Sequence, residues 1–165
     1  MSGRMPAVLG ALLLLGCGAS RSELRSQSRM EGRYRLGELP TSWEKQRPGG
    51  ADRAWFNDAF SSTIYADSNC AERFQDSPLH DLMTHLTAGI AVGAPVREES
   101  LTLDNRAALL RVYSGLLDGV ELKVSVVVLK KNQCTYDMLY LAPSSTFEAG
   151  WSDFVGVISG FQVMR

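Results

Sequence analysis

Apolar and polar residues alternate with period two along four consecutive stretches: "VREESLTL" (96–103), "RAALLRVYSG" (106–115), "VELKVSVVVLK" (120–130) and "CTYDMLYLA" (134–142). Such alternation marks strands with one face against a core. The separators Asp104-Asn105, Asp118-Gly119 and Asn132-Gln133 suit tight turns, so the four strands read as a meander. Val126–Leu129 is apolar on both alternations, which predicts a central strand covered on both faces. Upstream, "AWFND" (54–58) and "STIYAD" (62–67) read as a hairpin.

The period changes to that of a helix twice. In "SPLHDLMTHLTAGI" (77–90), Leu79, Leu82, Met83, Leu86 and Ile90 form one stripe, with Ser77 as the expected N-cap, Pro78 at the first helical position and Gly89 at the end. In "SSTFEAGWSDFVGVISG", Phe147, Trp151, Phe154, Val155 and Ile158 form the second stripe, with Ser145 and Glu148 placed as a capping box and Gly160 as the stop. The order hairpin, helix, four-strand meander, helix predicts an α+β domain on an antiparallel sheet over 52–165. Residues 34–51 hold Pro40, Pro48 and Gly49-Gly50 and read as an extended, turn-rich segment with Leu39 and Trp43 packed on the domain edge.

The start of the chain has a different texture. Eleven apolar or small residues, Pro6–Gly16, follow a single charge at Arg4. A bilayer core takes about 20 residues, so the run is too short to span one, but it fits the apolar region of a secretory signal. It ends in "LLGC" (Leu14, Leu15, Gly16, Cys17), which resembles the lipobox of bacterial lipoproteins. That resemblance implies a signal peptide over 1–16, diacylglyceryl transfer to the Cys17 sulfur, cleavage after Gly16 and acylation (palmitate-type) of the new amine. Two or more acyl chains anchor a protein stably where one does not. Gly18, rather than Asp, follows the cysteine, and under the sorting rule of enteric bacteria this implies the outer membrane, facing the periplasm. Residues 17–33 then form the lipidated Cys and a tether: "GASRSELRSQSRMEGR" is too polar to build a core.

Cleavage after Gly16 removes 16 of 165 residues and one of 17 basic residues against 18 acidic ones, leaving 149 residues at a net charge of −2. That length supports one domain with a core. The balance offers no basic face for nucleic acid. With Cys17 spent on lipid, Cys70 and Cys134 are the remaining cysteines, and an oxidising compartment favours a disulfide between them.

The element order over about 52–163 resembles the PsbP-like α/β/α sandwich of extrinsic photosystem proteins and assorted bacterial envelope proteins. The run "C-x-Y-D-x-x-Y-x-A" (Cys134, Tyr136, Asp137, Tyr140, Ala142) before the last helix is similar to lipoproteins of diderm bacteria. Both imply a fold and neither implies an activity.

Candidate chemistry is sparse. His80 and His85 stand five apart, roughly 140° around a helix, so they do not share a metal ion as an i, i+4 pair does. Glu98, Glu99 and Asp104 cluster without EF-hand spacing and read as a solvated edge. Asp137 falls inside an apolar strand with Leu139 and Leu141; a buried carboxylate needs partners, so it holds a turn or a backbone N–H, or it binds a ligand. No catalytic residue, metal or cofactor is assigned. The expectation is a membrane-anchored envelope lipoprotein, not an enzyme, whose head binds an envelope protein or cell-wall partner. Two alternatives stay open: a small cell-wall or lipid-processing enzyme with Cys70 as nucleophile and His80 or His85 as base, and a carrier of a small apolar ligand lined by Met83, Met138 and tyrosines.

Overall fold

The computed structural model describes residues 34–47, 49–71, 76–90 and 93–164. The elements run β1 (Tyr34–Arg35), β2 (Glu44–Gln46), β3 (Arg53–Asn57), a 3-10 turn (Asp58–Phe60), β4 (Ser62–Asn69), α1 (Leu79–Thr87), β5 (Arg97–Leu103), β6 (Arg106–Leu117), β7 (Val120–Lys131), β8 (Cys134–Pro143), α2 (Phe147–Ser159) and β9 (Gln162–Val163). Seven strands form one antiparallel sheet in the order β2-β3-β4-β8-β7-β6-β5, and β1 pairs with β9 separately.

The meander follows from its turns. Asp104-Asn105, Asp118-Gly119 and Asn132-Gln133 all have positive φ at both residues, which gives the two-residue turns whose twist matches that of paired strands. Asx and Gly residues tolerate that conformation best, and they occupy five of these six positions. The expected strands therefore form within one or two residues of their predicted ends.

The sheet carries a helix on each face. α2 packs over β8, β4 and β7, above a cluster that includes Ile64, Val127, Tyr136, Met138, Tyr140, Phe147 and Phe154. α1 packs over β7 and β6, above Val124, Val126 and Val128, to which it brings Leu82 and Met83. β7 is thus covered on both faces, and Val124, Val126, Val127, Val128 and Leu129 are all fully buried.

Three local expectations are corrected. Ser77 is not the N-cap of α1; Pro78 takes that position, and its carbonyl accepts from Asp81 N (3.1 Å) and Leu82 N (3.2 Å). A residue before proline is pushed toward extended backbone, so the helix starts one residue later. The Ser145–Glu148 capping box does not form, because Thr146 stands at the N-cap of α2 and its hydroxyl donates to Phe60 O at 2.7 Å instead. Glu148 turns to Lys123, 3.3 Å away. Residues 34–51 add two short strands to the expected coil. β2 is exposed throughout, and its pairing with β3 is a backbone ladder that side-chain alternation does not announce.

The segment after β1 is held by close approach. Gly37 N donates to Val157 O at 3.0 Å, and a Cβ on Gly37 would stand 2.1 Å from Gly156 O. Trp43 then lies against Tyr140, and its indole N–H donates to Asp153 at 2.8 Å, which docks the segment on α2 as expected for Trp43.

Candidate functional site

Cys17, with the leader and the tether, lies outside the described residues. Cys70 and Cys134 are joined. The β4–β8 register pairs Asn69 with Thr135, so the next pair outward is Cys70 facing Cys134, with Cα atoms 4.0 Å apart and a disulfide between the side chains. Cys70 accordingly has no thiol for His80 or His85 to activate, and the Cys–His arrangement is not formed.

His85 is exposed on the outer side of α1. His80 is exposed too, yet its Nδ1 lies 2.9 Å from Arg111 Nη2. Arg111 is buried on the α1 face of β6, and its Nε also donates to Glu98 at 2.7 Å. This network, which alternation alone did not reveal, ties α1 to β5 and β6. The other acidic edge residues are likewise engaged: Glu99 accepts from Arg97 Nε at 2.7 Å, and Asp104 meets Lys131 at 2.6 Å and Val163 N at 2.8 Å. The bond from Lys131, then that from Val163, holds Asp104 below the usual carboxylate range. Among the described residues no three such side chains converge to hold a metal ion. Met83 and Met138 are fully buried in opposite layers, so they do not line a common pocket.

Asp137 lies on the face read for it, with Leu139 and Leu141, and stands opposite Asp67 on β4 and Val128 on β7. Desolvation raises its pKa to about 8, helped by the negative field of Asp67 and then of Asp52. Asp67 is raised by the same causes, burial first and Asp52 second. The neighbouring Asp67 is the carboxyl that holds a backbone N–H, its Oδ1 accepting from Asp52 N at 3.1 Å. Asp52 in turn accepts from the Ser68 hydroxyl at 2.6 Å. Two facing carboxyls in a half-buried setting are best accommodated when they share a proton, and burial pushes Asp137 further toward the protonated form. Sequence alternation located Asp137, but only strand register supplies Asp67 as its neighbour.

A concave feature lies elsewhere, on the α2 face at the far edge of the sheet. α2 crosses the middle strands and leaves β5 projecting beyond it, which opens a groove of about 410 Å³. Leu101, Leu103 and Leu110 form its floor, and Trp151, Val155 and Ile158 its wall. At one end the Arg97 guanidinium lies over the Trp151 ring, 5.0 Å from its centroid. Trp151 and Val155 belong to the predicted buried stripe of α2, but Trp151 is half-buried and Val155 is 37% exposed. The stripe is wider than the surface it covers, and its outer margin faces the groove. The period of a helix reports which residues are apolar and not how far the sheet beneath extends.

No family model and no curated protein matches this chain. Solved structures do resemble it. The solution structure of cyanobacterial PsbP (CyanoP) from Synechocystis sp. PCC 6803 aligns with a TM-score of 0.57 at 13% identity, covering 79% of this chain and 86% of that one. LpqN of Mycobacterium tuberculosis, described as involved in cell envelope biogenesis, aligns with a TM-score of 0.57 at 10% identity, covering 80% and 83%. PA94 of Pseudomonas aeruginosa, a protein of unknown function, aligns with a TM-score of 0.51 at 14% identity, covering 78% and 85%. Likeness at these identities speaks for architecture alone, and on that ground the chain has the α+β fold of PsbP-like proteins.

Proposed function

We infer that this chain is a lipid-anchored envelope protein, held through Cys17 in the outer membrane and facing the periplasm, whose PsbP-like head acts by binding another envelope component. The anchoring half is supported by the apolar run and "LLGC" at 14–17, followed by a polar tether. LpqN, with the same architecture, is described as involved in cell envelope biogenesis. The observation that carries the binding half is the groove between β5 and α2: six apolar side chains with a polar Arg97–Glu99 pair at one end. Its volume also lies within the range of small-ligand sites, so a small apolar ligand is the second reading.

The anchor is tested by fractionation. Cys17→Ser releases the head from membranes or stalls processing; a variant that survives a carbonate wash in the membrane fraction overturns the anchor. The binding half is tested by a photo-crosslinking residue in place of Val155, in the tethered protein within its native envelope. A discrete crosslinked band that Val155→Asp abolishes when the crosslinker is moved to Ser159 supports the groove. A head that gives no crosslink from either position acts through some other surface.

A further inference from the structure

We propose that the groove receives an extended peptide segment of another protein, which adds to β5 antiparallel as an eighth strand; this rests on reading the groove as the binding site. The two edges of the sheet are unlike. β2 has three residues, all exposed, and ends the sheet as a short, highly polar strand. β5 runs seven residues without a positive-φ interruption, and among the described residues nothing pairs with its outer side. Such an edge presents N–H and C=O groups that an added strand satisfies.

Backbone valence alone would accept any strand, so the side chains must select. Every second residue of an added strand points into the groove, facing in turn Arg97, Glu99, Leu101 and Leu103. Arg97 and Glu99 at present satisfy each other, with side chains 48% and 39% exposed, and a surface pair of that kind is exchanged at little cost. The complementary segment therefore carries an acidic residue opposite Arg97, a basic residue opposite Glu99 and apolar residues opposite Leu101 and Leu103. Written from its own N-terminus, it reads apolar, any, apolar, any, basic, any, acidic.

A second copy of this chain does not meet that demand. Full antiparallel overlap of two β5 strands about Ser100 sets Arg97 against Leu103 and Glu99 against Leu101 at both ends, burying charge on leucine. Sliding the register until Arg97 meets Glu99 sets Glu98 against Glu98 of the second copy. In these two registers the charges of β5 thus oppose self-pairing, while a foreign segment of the stated pattern meets no such conflict.

The probe is a fluorescein-labelled peptide, Val-Thr-Val-Thr-Lys-Thr-Glu, followed by anisotropy with the whole head in its oxidised form. Saturable binding is expected, with Val155→Asp weakening it about tenfold or more. Only alternate amides of an added strand face β5. N-methylation of the peptide in one of the two alternate frames should therefore abolish binding, while the other frame costs less than about threefold. Exchanging Lys and Glu in the probe should weaken binding about fivefold, and the double variant Arg97→Glu, Glu99→Arg should restore it. Absence of saturable binding overturns the proposal, as does equal sensitivity in both methylation frames, which would mean docking by side chains alone. A concentration-dependent dimer that Val155→Asp dissolves would make a second copy the occupant and overturn it as well. A failed probe beside a specific crosslink at Val155 sinks strand addition and leaves the binding reading standing; failure of both sinks both.

Discussion

The two faces of the sheet are built from different materials. Beneath the thirteen-residue α2 the core is aromatic: Tyr140 lies 5.5 Å from Phe154 and 5.0 Å from Phe147, while Tyr136 meets Phe161 at 5.1 Å and Tyr34 at 5.4 Å. Beneath the nine-residue α1 the core is aliphatic, made of Val124, Val126 and Val128 with Leu82 and Met83. That second face also carries charge: Arg111 at its β6 end, Asp137 and Asp67 at its β8 and β4 end. α1 reaches β6 and β7, and the carboxyls lie on the next two strands beyond β7, Asp137 on β8 and Asp67 on β4. A long amphipathic helix thus covers rings that need a deep layer. A short one leaves room for polar groups, provided each is neutralised by a partner or by a proton. The expectation is that the α2 face contributes most through close packing, and that the half-buried carboxyls of the α1 face make the fold respond to pH.

That contrast is breakable. Phe154→Ala, at the fully buried centre of the aromatic face, should cost about 3–5 kcal/mol in denaturant unfolding. A loss below about 1 kcal/mol would show that the rings do not form a close-packed layer. Gly37→Ala forces a methyl onto the Gly156 carbonyl and should cost about 2–3 kcal/mol, with the loss confined to the α2 side in amide exchange.

On the α1 face a substitution should stabilise. The Asp137 carboxyl has its pKa raised from 3.8 to about 8 in the folded chain, so its contribution is fully present below the lower value and is lost as pH rises through the upper one. Asp137→Asn should therefore match the parent near pH 4 and exceed it by about 1–3 kcal/mol at pH 8, the lower figure applying where the half-buried carboxyl is relieved by water. Urea melts at the two pH values decide; a pH-independent difference would mean that Asp137 acts through a contact rather than through its charge. The smallest effects separate the histidines. His80→Ala removes a partner of Arg111 and should cost about 0.5–1 kcal/mol. His85→Ala, exposed and away from that network, should stay within about 0.5 kcal/mol. Equal effects would remove Arg111 from any role in holding α1.

Much of this architecture was legible in the order of residues because it is local. Alternation is a property of neighbours two apart, the turn dipeptides Asp104-Asn105 and Asp118-Gly119 select their own backbone, and the two helical stripes need nothing beyond 3.6-residue periodicity. The pairing of Cys70 with Cys134 was likewise expected, from count and compartment. Helix starts were less legible, since Thr146 gives its hydroxyl to a carbonyl 86 residues away, and no local rule prices that competition.

By itself the sequence determined the hairpin and meander strands β3 to β8, the two helices to within a residue or two of their starts, and the α+β class. Tertiary structure alone decided which groups meet: Asp67 with Asp137, His80 with Arg111, Gly37 with the α2 backbone, and Trp151 with Arg97 across a groove. The physical reason is range. Periodicity and turn chemistry are short-range and are written residue by residue. Proximity across a sheet depends on register and on how far a helix overhangs it, and both emerge only when every layer is packed at once.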